Sequence, residues 1–214
     1  MAPTLYEMPI PNFRRPHGSY RFDVFSLKAG RRMTLYGKAA LAQFIELEAN
    51  HEVSGLCERP LKIPNSSPER VVDFWALCSG KPNFYLLLAG ENLRESAKKK
   101  VSMDAFRQWV KTQGALLHEI DVGVFKERQA LHGNWATILQ HLVSHRGMVT
   151  PALIEQCALD LPSRFTLQQL ETLLQNADPM LARAAAFHLL VAGRMRCVSL
   201  ASEPLHPLTI LERL

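Results

Sequence analysis

The sequence contains none of the short motifs that mark the commonest enzyme and nucleotide-binding classes. GxSxG, HExxH, P-loop and GxGxxG patterns are all missing, which argues against serine hydrolases, zinc peptidases and the usual nucleotide-binding folds. No two cysteines form a CxxC pair, and no histidine lies beside them at metal-ligand spacing, so a zinc site is not indicated. Each cysteine has apolar neighbours, and we expect reduced core thiols at Cys57, Cys78, Cys157 and Cys197.

Long apolar runs are also missing. A membrane-spanning helix needs roughly 18–20 apolar residues, whereas the longest uncharged apolar stretch runs only from Phe84 to Gly90 and suits a buried strand. The first residues do not follow the charged-then-apolar pattern of a secretion signal. We therefore expect a cytoplasmic protein with no membrane partner.

Negative charge is scarce at the start of the chain. The formal net charge is +5, and the whole surplus lies in residues 1–133, which hold 19 Lys and Arg against 14 Asp and Glu. Residues 1–40 alone carry seven basic and two acidic side chains, while residues 134–214 are neutral. A localised surplus favours a polyanion such as DNA as partner, and ordinary solubility charge is the alternative explanation.

The first part of the chain follows the pattern of a small α/β domain behind an irregular arm. Residues 1–18 are rich in proline and polar groups and are basic, which predicts the arm. Residues 19–36 alternate apolar and polar side chains around Gly30, which predicts a hairpin. Apolar spacings of three and four predict a helix over residues 37–50.

Further strands and one helix complete this domain, which we predict to span residues 19–132. The two most apolar strands do not alternate cleanly, which is typical of central strands covered on both faces. The order predicts a mixed sheet with flanking helices. The predicted elements are strands at 53–63, 70–78 and 84–88, a helix at 92–113, and a strand at 116–122.

Residues 133–214 predict a small helical domain. Apolar periodicity and cap residues indicate four helices, with Thr150 and Thr166 as caps and Gly193 as the final stop. A strand-like run follows Gly193, and helices followed by a short strand match the winged-helix plan. The predicted helices span 134–146, 151–159, 166–176 and 179–192.

The order of elements in the first domain is that of PD-(D/E)xK nucleases, whose core carries Glu on a helix, Asp on a strand and Glu/Gln-x-Lys on the next strand. The carboxylates bind a divalent metal that polarises phosphate and water, and the lysine steadies the developing charge. The segment Arg70-Val-Val-Asp-Phe-Trp resembles the Asp strand, with Asp73 as the matching residue.

Other segments carry the same resemblance. The stretch from Val24 to Met33 resembles the lead-in of TnsA-type proteins, Glu58-Arg-Pro-Leu resembles a stretch leading to Glu-Gln-Pro, and Leu131-His-Gly-Asn-Trp resembles the start of their C-terminal domain. Over most of residues 20–200 the chain thus resembles the TnsA-type endonuclease subunit of multi-protein transposases. The resemblance implies a restriction-endonuclease-like sheet followed by the winged-helix-like domain.

Most of the catalytic residues of that family are missing here. Ala40 stands near the expected position of the helix acid, and Phe84-Tyr-Leu-Leu-Leu replaces the strand that should carry Glu-x-Lys. An apolar triplet can neither bind metal nor orient water. Asp73 is the remnant, and a charged carboxylate on a covered strand would need a partner such as Arg70. We expect weak or no cleavage and no cofactor, with Mg²⁺ bound through Asp73 only if the protein is active.

Residues at other positions could replace the missing catalytic groups and support metal-dependent cleavage. Glu46 or Glu48 could supply the helix carboxylate, Glu91 could reach back from beyond the strand, and Lys98 could supply the cation. The alternative is that these are solvated helix charges. An active metal-dependent endonuclease is therefore one of the hypotheses to test.

We expect the basic residues of the arm, the hairpin turn and the start of the second helix to contact phosphates. Arg194 and Arg196 flank the turn before the last strand, where the wing of a winged helix meets DNA, although a solvated turn explains them equally well. The neutral second domain could equally dock a protein. The candidates of the first domain are Arg14, Arg15, Arg31, Arg32, Lys98, Lys99 and Lys100.

The resemblance implies a component of a mobile element's transposition machinery, working at transposon ends beside a DDE-type transposase and an ATP-using regulator. The missing acid and lysine favour a degenerate nuclease that binds DNA, transposase partners, or both. A different reading is a winged-helix DNA-binding regulator whose N-terminal domain senses a partner.

Overall fold

The computed structural model describes residues 6–11, 13–66, 69–89, 97–174 and 177–214, without the side chains of 97–102 and of Glu171. The fold is mixed α/β, and the chain forms two compact units. One unit contains residues 1–47 and 52–127, and the other contains residues 48–51 and 128–214. Within the described ranges, no helix is both long enough and apolar enough to cross a bilayer.

The N-terminal unit begins with the predicted hairpin and helix. Strands β1 (Arg21–Ser26) and β2 (Arg31–Tyr36) pair antiparallel, with Arg21 opposite Tyr36. Gly30 lies in the turn with a φ of 65°, a conformation that glycine adopts without steric cost. Helix α1 (Lys38–Ala49) then follows at once. The sequence predictions for residues 19–36 and 37–50 are confirmed.

A four-stranded mixed sheet forms the centre of this unit. Its order is β3-β6-β7-β8, with β3–β6 and β6–β7 antiparallel and β7–β8 parallel. Helix α2 (Ala97–Thr112) lies between the two parallel strands in the chain, as a parallel pair requires. The strands are β3 (Val53–Glu58), β4 (Lys62–Ile63), β5 (Arg70–Val71), β6 (Phe74–Cys78), β7 (Lys81–Leu88) and β8 (Leu116–Asp121), with β4 and β5 forming a separate small ladder.

The two central strands are buried, as their lack of alternation predicts. Trp75, Phe84 and Leu86 pack in one cluster with side chains of α2 such as Met103 and Phe106. The residues that alternate with them, including Phe74 and Tyr85, are also buried. Because both sets of side chains are withdrawn from water, neither strand shows a polar face in its sequence.

The predicted continuous strand over residues 70–78 is wrong at its middle. Val72 and Asp73 leave the ladder, so that β5 and β6 belong to different sheets. The Val72 amide donates instead to the Leu61 carbonyl at 3.0 Å. The next turn is tighter than predicted: Ser79 and Gly80 both have positive φ, and β7 already begins at Lys81.

The C-terminal unit combines helices with a small antiparallel sheet of order β10-β11-β9. Thr150 caps α4, since its side-chain oxygen accepts the Leu153 amide at 3.2 Å, and Gly193 ends α6 with a φ of 69°. The elements are α3 (Gln129–Ser144), α4 (Pro151–Asp160), β9 (Arg164–Thr166), α5 (Leu170–Leu173), α6 (Pro179–Val191), β10 (Met195–Arg196) and β11 (Ile210–Arg213).

The predicted helix over residues 166–176 is largely wrong, because only the single turn α5 forms. Thr166 ends strand β9, and its amide and hydroxyl exchange hydrogen bonds with Gln169 in the manner of a capping box. The apolar spacing in this segment suggests a long helix, but here it places leucines of a turn in the core. Leu167, Leu170 and Leu174 are all buried.

All four cysteines are free thiols, but only two lie in the core. Burial raises the pKa of Cys57 to about 12 and that of Cys157 to about 11. Cys78 and Cys197 are half-buried, so the expectation of core positions is wrong for these two.

Candidate functional site

The candidate site is a cavity of about 220 Å³ in the N-terminal unit, and it brings Asp73 and Ala40 together. Ala40 comes from the first turn of α1, while Asp73 precedes β6. Other parts of the wall come from the arm, the end of β2, the residue after β3 and the segment around β5. The lining residues are Phe13, Pro16, Leu35, Tyr36, Ala40, Glu58, Arg59, Glu69, Arg70, Val71, Asp73 and Phe74.

Asp73 is fixed by three hydrogen bonds, two to strand β7 and one to Arg59, the residue after β3. Its amide donates to the Tyr85 carbonyl at 3.0 Å, and its carbonyl accepts the Arg59 amide at 2.9 Å. Its carboxylate Oδ2 accepts the Leu87 amide at 2.7 Å. The break in the strand at Val72 and Asp73 therefore turns the carboxylate onto the backbone of β7.

Desolvation dominates the electrostatics of Asp73. Withdrawal of the carboxyl group from water raises its pKa to about 6, although the Leu87 hydrogen bond and the charges of Arg70 and Arg59 act in the opposite direction. Arg70 is thus the partner expected for Asp73, since its positive charge attracts the carboxylate. This attraction is smaller than the effect of desolvation on the Asp73 pKa.

The donor set does not fit a divalent metal. Within the described residues no group of three or more His, Cys, Asp or Glu side chains could hold one. Of the other carboxylates on the cavity wall, Glu58 is paired with Arg31 and Glu69 with Lys62. Mg²⁺ requires several oxygen ligands, and here only one carboxylate is without a cation at contact distance.

Among the described residues, neither of the two carboxylates considered as replacements, Glu46 and Glu48, supplies the missing ligands. Glu46 and Glu48 lie further along α1 and do not line the cavity, and Glu48 is buried elsewhere. Glu91 lies outside the described residues, as does the side chain of Lys98. Leu86, Leu87 and Leu88 occupy the part of β7 beside Asp73, which is apolar as the sequence indicates.

Arg59 is a wall residue that the sequence does not single out. It follows β3 with a φ of 47°, an unusual conformation for a residue with a side chain. Its guanidinium lies 5.2 Å from the ring centroid of Phe13 and 5.3 Å from that of Tyr36. The only sequence signal for this position is its place between Glu58 and Pro60, which does not indicate that two aromatic rings lie beside the side chain.

Arg31, predicted to contact phosphate, has an internal partner. Its two terminal nitrogens donate to the two carboxylate oxygens of Glu58 at 3.1 and 2.6 Å. The Glu58 side chain is only 4% exposed, so this is a buried bidentate pair. Arg31 thus neutralises a carboxylate of the cavity wall instead of facing solvent with the rest of the hairpin turn.

The other three candidate arginines of the first domain are exposed. Arg14 and Arg15 lie on the arm, and Arg15 donates to the Ser19 carbonyl, while Arg32 lies on β2. Lys98, Lys99 and Lys100 belong to helix α2, but the structure does not describe their side chains. Arg14, Arg15 and Arg32 are therefore the described candidates for phosphate contact.

The two arginines predicted for a wing are paired with carboxylates. Arg194 forms a bidentate pair with Glu155 at 2.6 and 3.1 Å, and Arg196 lies 2.9 Å from Glu212. All four side chains are exposed or half-exposed, so a competing phosphate could separate them at modest cost.

Comparison of the sequence with known protein families gives no match, and a search of curated proteins finds no relative.

One prediction concerns the charge of Asp73. Its folded pKa of about 6 lies above the unfolded value, near about 4. The folded chain therefore binds the extra proton between these pH values, and its stability falls as pH rises through this window. Asp73→Asn should thus raise the unfolding free energy by on the order of 2 kcal/mol at about pH 7.5 and leave it unchanged at about pH 4.

The measurement is urea unfolding of both proteins at the two pH values. Asp104→Asn, at an exposed carboxylate on α2, is the control and should give no comparable gain. A gain for Asp73→Asn of the same size at both pH values would contradict the desolvation argument.

Proposed function

We propose that this protein is a TnsA-like component of a mobile element's transposition machinery, in which a nuclease-like domain binds DNA and transposase partners but no longer cuts. The partners that the resemblance implies are a DDE-type transposase and an ATP-using regulator. The single observation that carries the proposal is the shared cavity of Asp73 and Ala40.

That cavity supports the proposal because its parts come from the expected elements. The helix position, the Asp position and the next strand are distant in sequence, yet Ala40 and Asp73 line one cavity and Asp73 is bonded to Leu87. The family's acid and its Glu-x-Lys would belong at Ala40 and along β7. Alanine and leucine at these places cannot bind metal or handle protons, which favours a binding role.

The exposed arginines of the arm and hairpin favour DNA as a partner. Arg14, Arg15 and Arg32 are exposed, and the basic surplus of the chain lies within the same domain. Cations placed in this way neutralise phosphates and release counterions, which produces affinity without sequence preference.

The order of elements in the C-terminal unit supports a winged-helix-like domain. Strand β9 precedes helices α5 and α6, strands β10 and β11 follow, and β11 lies between the other two. A DNA-reading helix in this arrangement would be α6, but no residue of α6 after Met180 is exposed. A helix without exposed polar side chains cannot read base edges, so we propose protein docking for this unit.

The same strand order favours one alternative, a winged-helix regulator with an N-terminal partner-sensing domain. The buried α6 and the paired Arg194 and Arg196 weaken this alternative, because they leave the unit few groups for base contact. Binding of one DNA sequence in strong preference to others would favour the regulator.

A plasmid assay tests the loss of catalysis. Supercoiled plasmid with the purified protein and Mg²⁺ or Mn²⁺ should show no nicking above that given by Asp73→Ala. Nicking by the wild-type chain that disappears in Asp73→Ala would overturn the degenerate-nuclease proposal and favour an active enzyme with relocated residues.

DNA affinity should fall steeply with salt. If Arg14, Arg15 and Arg32 each contact one phosphate, the affinity for a duplex should drop roughly forty-fold between about 50 and 200 mM KCl. Alanine at all three positions should abolish most of this dependence. The control removes the same charge at three exposed lysines of the unit, Lys81, Lys111 and Lys126. Equal losses in both triple variants would contradict a specific role for the arm and hairpin.

A further inference from the structure

The cavity wall contains two arginines whose donors are not satisfied by protein acceptors. In the described part of the chain, Arg70 has no carboxylate within ion-pair distance, and its recorded hydrogen bond goes to the thioether of Met103 at 3.8 Å. A thioether is a weak acceptor. Arg70 therefore presents a half-buried cation to the cavity with little to compensate it.

Arg59 is held in place but incompletely bonded. One terminal nitrogen donates to the Thr34 carbonyl, and the other lies 3.8 Å from Glu58, a carboxylate already bound at shorter distance by Arg31. Its Nε–H is buried and has no hydrogen-bond partner among the residues that the structure describes. Buried donors without acceptors are rare in proteins and often mark the place of an absent ion or water.

The setting of Arg59 restricts which groups could satisfy it. Phe13 and Tyr36 lie beside the guanidinium, with ring centroids 5.2 and 5.3 Å away. A hydrogen-bond acceptor must approach the edge of the guanidinium, because its N–H bonds point outward in the plane of the group. The left-handed backbone of Arg59 is strained for a residue with a Cβ, and such strain is concentrated at binding sites. The side chain is thus fixed before any ligand arrives.

The charges of the wall favour an anion over a cation. Glu58 and Glu69 are each matched by a cation outside the lining, Arg31 and Lys62. With these two carboxylates neutralised, Arg59 and Arg70 face only Asp73. A tetrahedral anion can accept hydrogen bonds from two guanidinium groups at once, which is the usual way that arginine recognises phosphate.

We infer that this cavity binds a phosphate group through Arg59 and Arg70, without a metal ion. The phosphate could belong to the DNA backbone, in which case the inference rests on the proposed function, or to free phosphate. Aromatic side chains beside the site, Phe13 and Tyr36, would then lie next to whatever the phosphate carries.

The test measures binding of inorganic phosphate by calorimetry at low salt. Wild-type protein should bind it saturably, while Arg59→Gln and Arg70→Gln should each weaken binding at least about ten-fold through loss of a charged donor. Asp73→Asn should tighten binding several-fold, because it removes the one unmatched negative charge. Lys111→Gln, which removes an exposed charge from the end of α2, is the matched control and should bind as wild type does.

Two results would overturn the inference: no saturable binding of phosphate, or binding that neither arginine variant weakens. If Arg59→Gln does not fold, the other two variants still test the inference. Arg70→Gln should weaken phosphate binding and Asp73→Asn should tighten it. A second arm titrates a short DNA duplex. Binding of phosphate but not of duplex would support phosphate binding in the cavity and refute the proposed DNA binding. Binding of duplex but not of phosphate would support DNA binding and refute the phosphate site.

Discussion

Replacing Arg31 with methionine should lower the free energy of unfolding of the N-terminal unit by about 3 kcal/mol. The change leaves the Glu58 carboxylate, whose side chain is 4% exposed, without its bidentate partner. Arg59 lies 3.8 Å from the same carboxylate and is too distant to replace two hydrogen bonds at 2.6 and 3.1 Å. A buried charge without a close counter-ion is costly because the protein interior screens it poorly and solvates it poorly.

Urea unfolding followed by tryptophan fluorescence measures this loss, since Trp75 and Trp109 both lie in the N-terminal unit. The matched control is Lys62→Met, which breaks the pair between Lys62 and Glu69 at 2.9 Å. Both partners there are more than half exposed, so we expect a loss below about 1 kcal/mol. Equal losses for Arg31→Met and Lys62→Met would show that burial does not set the strength of the Glu58 pair.

Replacing Phe84 with alanine should lower the free energy of unfolding by about 4 kcal/mol, the largest effect expected in this chain. The Phe84 ring is fully buried on β7. Its centroid lies 5.3 Å from that of Tyr6, 5.8 Å from Trp109 and 6.4 Å from Phe106. Truncation removes these contacts together with the transfer free energy of the ring and leaves a void that surrounding aromatic rings cannot readily fill.

The same unfolding measurement tests this prediction. Leu116→Ala is a suitable control. Leu116 lies on β8 opposite Asn83, the residue before Phe84 on β7, but its side chain is 53% exposed. We expect that control to change the stability by about 0.5 kcal/mol or less. A small effect of Phe84→Ala would mean that the aromatic cluster collapses around the missing ring, which would argue against a tightly packed sheet and helix α2.

Neither stability variant replaces a group proposed to bind phosphate. Arg31 acts on the cavity through Glu58, whose charge it neutralises. Loss of Arg31 should therefore also weaken phosphate binding, because an unmatched Glu58 would oppose an anion in the cavity. Phe84→Ala has no such charge effect, so at temperatures where it is folded its phosphate affinity should match that of the wild-type protein.

Elements whose signals are local can be predicted from the order of amino acids alone. Helix α1, the hairpin of β1 and β2, the Thr150 cap and the stop at Gly193 each depend on residues within one or two turns of one another. Burial of β6 and β7 could also be predicted from the sequence, because strands covered on both faces do not alternate apolar and polar residues. The resemblance also predicted that Ala40 and Asp73 lie close together, and both line one cavity. That this cavity derives from a nuclease site stays a prediction.

Features that depend on partners distant in the sequence became clear only from the folded chain. Strands β9 and β11 pair across more than forty residues and are too short to be recognised alone. The apolar spacing of Leu167, Leu170 and Leu174 looked like a helix because burial in a turn gives the same sequence pattern. Asp73 leaves its strand because its carboxylate can bond the Leu87 amide. Arg31 and Arg59 look alike in the sequence, yet Arg31 neutralises Glu58. Arg59 lies beside the Phe13 and Tyr36 rings, and one of its donors has no acceptor among the described residues. Charge is a property of a residue, but what that charge faces is a property of the fold.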